Sequence, residues 1–88
     1  LHPLNVMARN RAAMILAQRG HVGPALEQWS ESLKINPAQP DVLNNLGALA
    51  MQAGERDRAV AYWRQALDYA PDSPILKQNL AAAQARQP

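Results

Sequence analysis

Residues 40–73 read PDVLNNLGALAMQAGERDRAVAYWRQALDYAPDS. Gly54 and Pro71 punctuate this stretch, and a Trp at 63 lies between them. Shifted back by 34 positions, it falls on VMARNRAAMILAQRGHVGPALEQWSESLKINPAQ at 6–39. Asn10 then meets Asn44, Gln18 meets Gln52, Gly20 meets Gly54 and Ala25 meets Ala59. Trp29 meets Trp63, Leu33 meets Leu67 and Pro37 meets Pro71. Shifted forward, Pro40 meets Pro74, Asn45 meets Asn79, Leu46 meets Leu80 and Ala48 meets Ala82. The coincidences favour Gly, Pro and Trp, the residues that stop helices and fill cores. A repeated supersecondary unit is the reading.

Each unit divides into two helices. Nearly half of the residues are apolar (48%), with no Phe, and Ala and Leu supply much of the total. These are strong helix formers, and no segment alternates as a strand would. The predicted fold is all-α, with five antiparallel helices at about 4–19, 24–35, 40–53, 57–70 and 74–86. Gly20 and Gly54 supply left-handed stops, Gly23-Pro24 and Pro40 open helices, Asp57 is expected to cap the fourth, and Asp72-Ser73-Pro74 opens the fifth. The short connections require antiparallel neighbours.

The expected core comprises Ala25, Trp29 and Leu33 on the second helix, and Leu46 and Gly47 on the third. Ala59, Trp63, Ala66 and Leu67 follow on the fourth, and Leu80 on the fifth. On the first helix Ala8, Ala12, Ile15 and Leu16 are placed inward. Gly47 is expected opposite Ala59, letting two backbones approach closely.

Composition narrows the function classes. With no Cys there is neither a disulfide framework nor a thiolate metal site. His2 and His21 have no carboxylate pair placed to orient them, and no Gly-rich phosphate loop or His–Glu–His spacing occurs. No enzyme activity, metal or other cofactor is expected. No apolar run has the length of a bilayer span. The net charge of +2 is small for a nucleic-acid binder, although the basic isoelectric point keeps an RNA-reading repeat as a lesser alternative. Residues 1–23 carry Arg9, Arg11 and Arg19 with no acid, which favours an acidic partner segment at that end. The chain begins at Leu1 and is expected to be a piece of a longer protein, with a slight preference for the cytoplasm.

The period, the paired Trp and Pro residues, and the set Leu43, Leu46, Gly47, Ala50, Ala59, Trp63, Ala66 and Pro71 resemble the tetratricopeptide repeat (TPR) family. The likeness covers one repeat at 6–39, a second at 40–73 and a capping helix at 74–86, read as a single domain over 1–88. In the first repeat Arg9, Ala12 and Ala13 stand where the family prefers an aromatic residue, Leu and Gly. The resemblance implies a right-handed superhelix of helical hairpins, acting as a protein–protein interaction scaffold with no activity of its own.

It further implies a concave groove lined by helices 1, 3 and 5 that holds a peptide segment of a partner. The groove positions are Met7, Asn10, Arg11, Met14 and Gln18, then Asp41, Asn44, Asn45, Ala48, Met51 and Gln52, then Ile75, Gln78, Asn79, Ala82 and Arg86. Asn45 and Asn79 occupy the same place in successive repeats, and some family members use such a ladder of amides to hold a peptide backbone. Replacing both is expected to weaken binding without lowering the melting temperature. Of the residues that grip a C-terminal carboxylate in chaperone-binding members only Asn45 matches, which argues against that clamp. Self-association through unfinished repeat edges is the main alternative, with Val6, Met7 and Met14 as the candidate contact.

Overall fold

The computed structural model describes residues 3–85, with Pro3 and Leu4 as backbone alone. His2 and Arg86, and with them the expected end of the fifth helix, lie outside the described residues. All the described regular structure is helical: α1 (Pro3–Gln18), α2 (Val22–Ile35), α3 (Pro40–Gln52), α4 (Arg56–Tyr69) and α5 (Pro74–Ala85). The chain divides between Ala38 and Gln39 into two compact units. In the first, α1 packs on α2; in the second, α3 packs on α4 and α4 on α5.

Gly20 and Gly54 end α1 and α3 in the same way. Their φ angles are +83° and +79°, a conformation that costs an L side chain and leaves Gly free. The chain then turns back on the helix. His21 N–H donates to the Leu16 carbonyl at 2.8 Å and Gly20 N–H to Ala17 at 3.1 Å. Glu55 N–H donates to Ala50 at 2.8 Å and Gly54 N–H to Met51 at 3.0 Å. Each pair is a Schellman closure that satisfies carbonyls left over at the helix end.

Two helix starts differ from expectation. The second helix begins at Val22, so Pro24 lies inside its first turn, where a missing N–H costs nothing; the first intrahelical bond runs from Ala25 N–H to His21 O at 3.1 Å. The fourth begins at Arg56 with Glu55 at the cap position, which makes Asp57 a first-turn residue rather than the cap. There its carboxylate faces the positive end of the helix dipole. Ser73 caps α5, its Oγ accepting from Leu76 N–H at 3.4 Å.

Burial follows the repeat. Ala25, Trp29, Leu46, Ala59, Trp63 and Ala66 are buried as expected, as is Gly47. Leu33, Leu67 and Leu80 are half-buried. On α1 the inward residue is Ala13, whereas Ala8 and Ile15 are exposed and Ala12 and Leu16 half-buried. The apolar run from Ala12 to Ala17 wraps the whole helix, so spacing alone does not select its inner side.

The nearest atoms to the space beside Gly47 belong to an indole. A Cβ built on it would lie 2.6 Å from both Cε2 and Nε1 of Trp63.

Candidate peptide-binding face

Within the second unit one hydrogen-bonded cluster ties three helices together. Trp63 on α4 is nearly closed from solvent, and its Nε1–H donates to Asn44 Oδ1 on α3 at 2.8 Å. Asn79 on α5 donates to the same oxygen from Nδ2 at 2.9 Å. An indole offers a donor and no acceptor, so its partner atom must be oxygen. The two bonds satisfy a buried N–H and hold α5 in register with α3.

The remaining expected residues of this unit lie beside the cluster. Asn45 and Met51 are half-buried, and Gln52 and Gln78 are exposed. Helical spacing puts Asp41, Asn45, Ala48 and Gln52 on one side of α3, and Ile75, Gln78 and Ala82 on one side of α5. Asp41, Ala48, Ile75 and Ala82 are all exposed.

In the first unit Arg11, Met14 and Gln18 are exposed, and Asn10 is half-buried. Together with Met7 they follow one stripe of α1. Of the three arginines in the acid-free segment, Arg11 and Arg19 reach solvent. Arg9 turns to α2, where its Nη1 donates to Gln28 Oε1 at 3.2 Å while its Nε is buried without a hydrogen-bond partner.

The amide ladder is therefore uneven. Asn79 is already committed through Nδ2 to Asn44, so replacing it would remove a structural bond, and a lower melting temperature is the outcome to expect. The Trp63–Asn44 bond itself was missed. Its signal was present, since Asn10 and Trp29 stand at the same separation as Asn44 and Trp63.

A family model described as tetratricopeptide repeat matches residues 40–73, the two helices that carry Asn44 and Trp63. The chain is a TPR-like repeat domain. No curated protein matches it. TPR repeats generally mediate protein–protein interaction, and the family is one of non-catalytic scaffolds. Among the described residues there is no group of His, Cys, Asp or Glu able to hold a metal, and no helix is long and apolar enough to cross a membrane.

Proposed function

We propose that this TPR domain binds a peptide segment of a partner protein along the α3 and α5 positions Asn44, Asn45, Met51, Gln52, Gln78 and Asn79. Within the first unit, the stripe of α1 that carries Asn10, Arg11, Met14 and Gln18 has the same amide and methionine character. One observation carries the reading: the first-helix positions of the second repeat and of the capping helix present amides that remain open beside a rigid, Trp-anchored cluster. Amides both donate and accept, and methionine adapts to varied apolar shapes. Arg11 and Arg19, exposed in an acid-free segment, favour a partner with acidic residues at that end.

Among the described residues α1, α3 and α5 hold no aromatic side chain, so bases would find no stacking platform there. Protein is favoured over RNA on that ground. The experiment replaces Asn45 and Gln78 by Ala together. Asn45 and Gln78 make no hydrogen bond within the described residues, so stability should hold while partner affinity falls; unchanged affinity overturns the assignment.

A second reading rests on α1. Met7 is 65% exposed, Met14 42% and Ile15 43%, and a second copy could cover these apolar side chains. Light scattering over a concentration series tests it, with a constant monomer mass counting against self-association.

A further inference from the structure

One side of α1 is a helix seat with no helix on it. Ala8 and Ile15 are exposed, and the half-buried Ala12 lies between them on the same side of the helix. Two repeats further on, 68 positions later, the same register carries Leu76, Leu80 and Ala83 of α5. There the row is closed: Leu76 is 3% exposed, Ala83 0%, and Leu80 half-buried, in a helix that packs on α4. The helix before α5 is α4, and no described helix precedes α1. One register thus has two fates in one chain, covered by a helix in α5 and bare in α1. Scattered exposed apolar residues need no explanation, but this row has a filled counterpart.

We infer that this side of α1 docks an amphipathic helix of a partner protein, one whose apolar stripe is flanked by acidic residues. The row of Ala8, Ala12 and Ile15 takes the stripe. Arg11 borders the row, and Arg19 continues it one turn beyond Ile15. Both arginines are exposed, and neither makes an ion pair among the described residues. They stand about 12 Å apart along the helix, and residues 1–23 hold no acid to neutralise them. On α5 the place of Arg11 is taken by the uncharged Asn79, so the demand for acid is peculiar to α1. A second copy presenting its own α1 would bring like charges together, which disfavours that occupant. Peptide binding along α3 and α5 uses other residues and stands or falls separately.

The probe is a stapled helix with Leu along one stripe, at i, i+4, i+7 and i+11, and Glu among its other positions. Its twin carries Lys in place of every Glu. At low salt the full chain should bind the Glu helix about tenfold more tightly than the Lys helix. Replacing both arginines, Arg11→Glu with Arg19→Glu, should reverse that preference, which a merely structural role would not do. Ile15→Gln should weaken binding of the Glu helix about fivefold. In the isotope-labelled wild type, the Glu helix should shift the backbone amides of residues 8, 11, 12, 15 and 19 most. Equal affinity for the two helices, or a preference that the double variant leaves unreversed, overturns the inference. Shifts centred on α3 and α5 overturn it too, while leaving the peptide-binding reading intact. A dimer seen by sedimentation and lost in Ile15→Gln gives the surface to a second copy and overturns it as well. Should the double variant fail to fold, the wild-type shifts and the comparison of Glu with Lys helices decide.

Discussion

Gly47 on α3 packs against the indole of Trp63 on α4, so close that a methyl group at residue 47 would stand 2.6 Å from the Cε2 and Nε1 atoms. The ring is also pinned by its hydrogen bond to Asn44, three residues earlier on the same helix as Gly47. It has little freedom to retreat, because sliding away breaks that bond. Gly47→Ala is therefore expected to destabilise the domain by about 1–3 kcal/mol, despite the better helix propensity of Ala. Urea unfolding measures it, and a gain in stability would show that the contact is relieved at no cost.

Trp63 contributes both volume and a donor, and two substitutions separate them. Trp63→Phe leaves Asn44 Oδ1 with Asn79 alone and is expected to lose about 1 kcal/mol for the missing bond, plus a packing term for the smaller ring. Trp63→Ala empties the site and should lose about 3–5 kcal/mol. In the Phe background the penalty for Gly47→Ala should shrink, since the two changes touch each other. Strict additivity in the double-mutant cycle would place their effects elsewhere.

Gly54 offers the opposite case. Its φ is +79°, yet nothing lies within 4 Å of the position a Cβ would take. The glycine serves conformation there, not space. L-Ala should cost about 1–2 kcal/mol. D-Ala, introduced by chemical synthesis, should stabilise by about 0.4–1 kcal/mol through the loss of unfolded-state freedom. Equal melting temperatures for the two enantiomers would contradict the left-handed stop.

Arg9 occupies the place that Leu43 fills in the second repeat, and it holds a buried Nε without a hydrogen-bond partner. Arg9→Leu removes the unsatisfied donor and adds apolar area. Thermal melting should show a gain of about 1 kcal/mol. A loss would mean that the bond from Arg9 to Gln28, 3.2 Å long, outweighs the stranded group.

The second repeat was legible because its signals agree with one another. Gly54, Pro71 and the spacing from Gly47 through Ala59 to Trp63 each point to one helical hairpin, and its buried residues are those the pattern places inward except for Val42, which is buried, and Leu67, which is half-buried. In α1 they disagree. Six consecutive apolar residues cover every side of the helix, and the inward Ala13 is no more apolar than the exposed Ala8, so periodicity had nothing to grip. The candidate face was half legible for a different reason. Position on a helix shows which amides reach one side, but only geometry shows that Asn44 and Asn79 spend one atom each on a shared bond, while Asn45 and Gln78 spend none.

The claim that matters most is that the amide side of α3 and α5 receives a peptide. Backbone amide shifts of the isotope-labelled chain, recorded during titration with a capped, uncharged dodecapeptide selected against the full chain from a library of that composition, test it most directly. The account predicts that the largest changes cluster at residues 41–52 and 75–82, with the Trp63 indole signal moving alongside Asn44. Changes confined to the exposed side of α4, at Ala61, Arg64, Gln65 and Asp68, would contradict it.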